Sequence, residues 1–175
     1  MVNGNHVPER INSFNVYLDG TDRLIGVMPE LDLPGLKMKT STTSGAGLLG
    51  DIDDPTVGQF ESMEMELKFN LLYSGFEKML AVNRGVNLTI RAAQQVLSKD
   101  LGYEFKGLVC RVKGVVKEFN HGKLKPGEGM EASVKLELTR LYLESDGEVI
   151  QDVDKLNGVW NSVDGDQMAA INALI

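Results

Sequence analysis

The stretch from Leu36 to Phe69 constrains this chain more than any other. It reads LKMKTSTTSGAGLLGDIDDPTVGQFESMEMELKF, two alternating arms joined by a segment rich in Gly, Ser, Thr and Asp. In the second arm Met63, Met65, Leu67 and Phe69 share one parity, and Ser62, Glu64, Glu66 and Lys68 take the other. A period of two sends successive side chains to opposite faces of a strand, one buried and one wet. In the first arm Leu36 and Met38 alternate with Lys37, Lys39 and Ser41. Pairing the two arms antiparallel would set a lysine row beside a glutamate row. The connection between them is roughly fifteen residues, longer than a compact domain keeps without a use for it. The expectation is one large hairpin whose tip, residues 42–58, reaches beyond its own domain.

The rest of the chain reads as more strand. Residues 1–12 are polar, hold Gly4 and Pro8, and are expected to be an arm ordered only against a neighbour. Phe14, Val16 and Leu18 alternate before a turn at Asp19-Gly20, and Arg23 to Val27 gives a short second strand. Ser74 with Glu77 has capping-box spacing, and Phe76, Met79 and Leu80 fit one stripe, so a helix is predicted over residues 75–83. Val86 to Val96 and Tyr103 to Phe119 are strands, the second with Leu108, Cys110, Val112 and Val116 on one parity. His121 to Gly129 carries Gly122, Pro126, Gly127 and Gly129 and must be a loop. Glu131 to Leu143 buries Ala132, Val134, Leu136 and Leu138, and the shift to Leu141 and Leu143 predicts a bulge. Asp146-Gly147 turns the chain into Val149 to Asp154, and QMAAINALI supplies a short final helix. The fold class is mainly β, an antiparallel sandwich or partial barrel with one short helix and a long hairpin.

A chain of 175 residues is read as one domain, enough to bury about 70% of its unfolded surface. A formal charge of −7 and a pI near 4.9 argue against gripping nucleic acid through a basic face. The lone Cys110 excludes an intramolecular disulfide, and no apolar run approaches the roughly 20 residues of a membrane span. MVNGNHVPER lacks the basic-then-apolar layout of a signal peptide, so synthesis in the cytoplasm is expected.

Catalytic and ligand motifs fail on context. Gly45, Gly47 and Gly50 match the spacing of a dinucleotide loop, but Asp51, Asp53, Asp54 and Pro55 follow where a helix N-terminus should hold phosphate. The Asp51-Ile-Asp53-Asp54 run lacks the glycine and distal glutamate of a calcium loop. His6 and His121, both in predicted loops, make no zinc site with a single cysteine on a strand. No nucleophile elbow or triad is visible among the residues. Trp160 reads as an anchor for the C-terminal segment or a subunit contact. No catalytic residue, cofactor or metal is expected.

Several segments in order resemble the major tail tube proteins of contractile-tailed bacteriophages. They are Phe14 to Gly20, Leu33 to Lys37, Thr43 to Gly47, Gln59 to Glu64, Gly122 to Gly127 and Asp152 to Asn157. The likeness covers nearly the whole chain from Phe14. It departs at the C-terminus, where a basic residue is expected and Ala169 to Ile175 has none.

The resemblance implies six-membered rings of a sandwich-like protomer, each giving strands to a continuous inner barrel. Rings would stack into a hollow tube inside a contractile sheath, ended by baseplate and tape-measure proteins. DNA or ions would pass through the lumen, DNA without specific binding; R-type bacteriocins use similar tubes without DNA, and the type VI secretion tube is related. The expected place is the virion tail, assembled in the bacterial cytoplasm, with no membrane insertion. In that frame Lys37, Lys39, Ser62, Glu64, Glu66 and Lys68 are expected to face the lumen. Ser44, Gly45, Gly47, Gly50, Asp51, Asp53, Asp54 and Pro55 are expected in the inter-ring loop. The alternatives are a small-ligand-binding β-barrel, against which the 6% aromatic content speaks, and an enzyme on a β scaffold, for which no constellation exists.

Overall fold

A computed structural model describes residues 6–45, 47–72, 76–81, 84–99 and 102–175. The strands in chain order are β1 (His6–Leu18), β2 (Asp22–Leu24), β3 (Met38–Thr43), β4 (Ile52–Phe60) and β5 (Glu64–Phe69). Then come β6 (Val86–Ser98), β7 (Gly102–Asn120), β8 (Ala132–Ser145), β9 (Glu148–Asp154), β10 (Val159–Ser162) and β11 (Gly165–Asp166). Among the described residues a single α-helix, α1 (Ala169–Asn172), follows, as expected for the tail.

Every strand pairing is antiparallel, and the main sheet runs β11-β10-β9-β8-β7-β6-β1-β2, with β5 also on β8. The long strands β1, β6, β7 and β8 have the alternation that one buried face demands. Their inward residues include Val16, Leu18, Leu88, Ile90, Cys110, Val112, Val134, Leu136 and Leu138, all buried in one core. Met63, Met65, Leu67 and Phe69 join that core on the predicted parity.

The sheet curls around this core. Past β2, Val27 bridges to Phe69, Met28 N–H donates to Lys68 O at 2.8 Å, and Asn70 N–H donates to Gly26 O at 2.9 Å. That stitch brings the far edge toward β5 without a continuous ladder, so the protomer is a curled sheet and not a closed barrel. One end is capped by Phe76, which stacks on Phe69 at 4.7 Å and on Phe119 at 5.0 Å.

The bulge lies at Thr139, where Lys113 faces Arg140 but Gly114 faces Leu138. The extra residue explains why burial shifts from Leu138 to Leu141. Gly114 is required there, since a Cβ would stand 2.2 Å from Glu137 O. The Asp146-Gly147 turn has both residues at positive φ, 53° and 82°, the geometry that suits the twist of a tight hairpin.

Three expectations change. The helix over residues 75–83 is a 3-10 turn, Glu77–Met79; Ser74 and residues 75, 82 and 83 lie outside the described residues. One turn already buries Phe76 and Met79, while Leu80 is left exposed, so the stripe has nothing to bury in a second turn. Residues 6–12 of the expected arm are the first part of β1, paired with β6 from His6↔Ser98 onward; residues 1–5 lie outside the described residues. Finally, the two arms of the Leu36–Phe69 stretch do not pair with each other. β3 pairs with β4, most of which lies inside the segment expected to be loop, and β5 pairs with β8.

Candidate functional site

Two features of the surface stand out, the outward face of β5 and the β3–β4 hairpin. On β5 and the residues leading into it, Ser62, Glu64, Glu66 and Lys68 lie opposite the buried methionines, as their parity requires. The register Glu64↔Glu137 and Glu66↔Lys135 brings β8 beside them, and β7 adds Lys117. Glu64 receives Lys117 on one carboxylate oxygen and Lys135 on the other, the latter at 2.7 Å. Ser62 Oγ donates to Glu137 Oε2 at 2.5 Å, and Lys117 stands 3.8 Å from the same carboxylate.

The two ammonium groups hold the Glu64 carboxyl at about 2; hydrogen bonding from Lys117 contributes most, then that from Lys135, against a smaller desolvation effect. The same contacts raise both lysines above the ordinary range, each chiefly through its hydrogen bond to Glu64. At the centre of this face the Glu64 carboxylate is thus neutralised by two ammonium groups.

Lys37 and Lys39 are not on that face. Lys37 pairs with Glu61 at 2.9 Å at the root of the hairpin, and Lys39 follows it on β3. The lysine row beside a glutamate row exists, but β7 and β8 supply it. The residues missed from sequence, Lys117 and Lys135, sat on the outward parity of correctly read strands; their distance to Glu64 depends on which strands are neighbours.

The hairpin is a two-stranded ribbon with the register Thr40↔Pro55, Ser41↔Asp54, Thr42↔Asp53 and Thr43↔Ile52. Thr42 Oγ1 donates to Asp53 Oδ1 at 2.7 Å. Pro55 is tolerated because β4 has no second neighbour among the described residues to miss its N–H. Ser44, Gly45, Gly47, Gly50 and Asp51 make the tip, and both ribbon faces are exposed out to Leu48, Leu49 and Ile52.

Its root is held firmly. Glu61 N–H donates to Lys37 O at 2.8 Å, and Lys155 Nζ donates to Glu61 O at 2.7 Å. Phe60 packs edge-on against Trp160 with centroids 5.1 Å apart. Gly58, at φ +79°, lies under Met168, whose sulfur would stand 2.7 Å from any Cβ there. Trp160 is thus the anchor the sequence suggested, and it anchors the hairpin as much as the C-terminal segment.

Among the described residues no group of three or more His, Cys, Asp or Glu could hold a metal. A cleft of about 590 Å³ opens between the edge of β1 and the segment after β2, lined by Ile11, Phe14, Arg23, Met28 and Leu31 among others. Cys110 is buried, and burial pushes its thiol up to about 11. No helix is long and apolar enough to cross a membrane among the described residues.

The two sequence comparisons agree on one group. The family model described as phage tail tube protein FII matches residues 8–175. The chain is similar to the tail tube protein of Escherichia phage P2, 26% identical over 152 residues that cover 86% of this chain and 87% of that one. A chain in the cryo-EM structure of the anti-feeding prophage baseplate, 6-fold symmetrised, is also similar, at a TM-score of 0.49 and 9% identity. That alignment covers 79% of this chain and 96% of the other.

Proposed function

The chain belongs to the phage tail tube protein FII family, and on that premise we propose that its protomers close into six-membered rings stacked as a hollow tube. A member of this family is a structural component of a phage tail, and no enzymatic role is assigned to it. The tube is that of a contractile tail or tail-like particle, a conduit for DNA that passes without specific binding. Its partners are further copies of the chain, the surrounding sheath protein, and baseplate and tape-measure proteins at its ends. Its place is the virion tail, after assembly in the bacterial cytoplasm.

The observation that carries this reading is the β3–β4 ribbon. A two-stranded ribbon is marginal in water by itself. This one is anchored at its root yet exposes Leu48, Leu49, Ile52 and Val57 along its length. Six β3 residues at about 3.3 Å each carry the tip roughly 20 Å from that root. Ser44, Gly45, Gly47, Gly50, Asp51, Asp53, Asp54 and Pro55 then make the contact with the adjacent ring. Support for closure within a ring comes from β1, whose edge from Val7 to Asn15 has no second strand partner among the described residues. An edge of that length is a template for another chain.

The outward face of β5, with Ser62, Glu64, Glu66 and Lys68, is assigned to the channel wall. Lys117 and Lys135 beside it are tied to Glu64, which leaves them little with which to hold a polyanion by displacing counterions. Lys37 and Lys39 belong with the hairpin root.

Electron microscopy of the purified chain at rising concentration tests the assembly. Rings or tubes are expected, and monomers at every concentration would overturn it. Deleting Ser44 to Pro55 should leave folded protomers that make no tubes; normal tubes from that variant would remove the hairpin from the ring-to-ring contact.

A further inference from the structure

The ladder β1–β6–β7 continues past the last residue of β8. Ser145 faces Leu108, so residues 102–107 of β7 have β6 as their strand neighbour and project as a three-stranded apron. Residues opposed in an antiparallel ladder share a face. Val7, Leu97 and Tyr103 therefore form one row, and Arg10, Gln95 and Phe105 the next. Then come Ser13, Ala93 and Gly107, and after them Asn15, Arg91 and Val109. Val7, Leu97, Tyr103 and Phe105 are 50%, 37%, 62% and 66% exposed. An apolar row of that kind on a soluble surface marks a contact.

The charge of this face is the reverse of the hairpin's. Arg10 and Arg91 lie on it; Glu9 reaches across, 3.9 Å from Arg10 and accepting a hydrogen bond from Gln95. In the apron as a whole, residues 6–15, 91–99 and 102–107 carry Arg10, Arg91, Lys99 and Lys106 against Glu9 and Glu104. The hairpin carries Asp51, Asp53 and Asp54 against Lys39. We propose that the apron of one copy receives the hairpin of the next. Leu48, Leu49 and Ile52 cover Leu97, Tyr103 and Phe105, while Asp54, on the same ribbon face as Ile52, meets Arg10 and Arg91.

Sign discrimination selects this arrangement over the symmetric ones. Apron on apron would bring arginines together, and hairpin on hairpin would bring aspartates together, each disfavoured by like charge. A hairpin-to-apron contact is heterologous, so it propagates from copy to copy. The docking rests on the tube reading and names the surface that takes the hairpin.

The test uses the full chain carrying Leu49→Cys and Tyr103→Cys together, treated with a bismaleimide after assembly. The native Cys110 is buried and does not compete. A ladder of covalent oligomers is expected from the double variant, with only monomers from each single variant. Tubes that give no ladder overturn the docking and leave the tube intact. Covalent dimers from a single variant replace it with a symmetric contact. Wild-type chain that forms no assembly at all removes the tube reading and the docking with it.

A second set of variants guards against cysteine variants that fail to assemble. Asp54→Lys should raise the concentration needed for tubes on the order of tenfold, and adding Arg10→Glu with Arg91→Glu should restore it. Equal defects in the single and triple variants would overturn the pairing.

Discussion

Lys135 Nζ stands 2.7 Å from the Glu64 Oε2 atom, across the β5–β8 ladder. Lys117 holds the other oxygen of the same carboxylate from β7, so three strands are tied at one charge.

That contact predicts a pH dependence. Glu64 is held at about 2 against an ordinary 4.5, through its hydrogen bonds from Lys117 and then Lys135. A depressed folded value stabilises the fold above the ordinary one and ceases to do so as pH falls through the folded one. The Tm difference between wild type and Glu64→Gln should be largest near neutral pH, shrink between about 4.5 and about 2, and then vanish. Added salt should narrow it as well. An unchanged difference at both extremes would mean that the ammonium groups are not seated on Glu64 in solution.

Cys110 should be inert in the native protein. Burial disfavours the thiolate and raises the thiol to about 11. A chromogenic disulfide at pH 8 should react slowly with folded protein and fully after denaturation. Fast stoichiometric reaction with folded protein would place the thiol at the surface.

Phe76 closes the end of the curled sheet at 2% exposure, between Phe69 and Phe119. Phe76→Ala should cost about 3–5 kcal/mol in urea unfolding, the range for a buried aromatic. A loss below about 1 kcal/mol would show that the cap contributes little to the core.

Gly114 is the residue the bulge cannot replace. Its missing Cβ would meet Glu137 O at 2.2 Å, a backbone atom that cannot swing away. Gly114→Ala should destabilise by about 1–3 kcal/mol or more, and amide exchange should quicken around Glu137 and Leu138. Gly107→Ala, on the same strand with nothing within 4 Å, is the matched control. Equal stability of the two variants would contradict the bulge geometry.

Much of the fold was legible in the residues because burial imprints a period. The alternation of Met63, Met65, Leu67 and Phe69 told which side of β5 is inside, and the break after Leu138 told where β8 bulges. The Asp146-Gly147 dipeptide marked its hairpin because both residues tolerate positive φ. The ordered segments shared with phage tail tube proteins pointed to the family that the sequence comparison then established.

What only the tertiary structure decided is adjacency. A period of two states which face is apolar and is silent on which strand lies next door, so Glu64 could be assigned a face but not Lys117 and Lys135 as partners. The strand β4 was hidden for a related reason: both faces of the ribbon are wet, and Ile52 to Phe60 carries no hydrophobic alternation. Phe76 and Met79 fit a helical stripe, but a spacing of three is met equally by one 3-10 turn. Local sequence determines which side of a strand water touches; the neighbour is chosen by how the whole sheet curls to close its core.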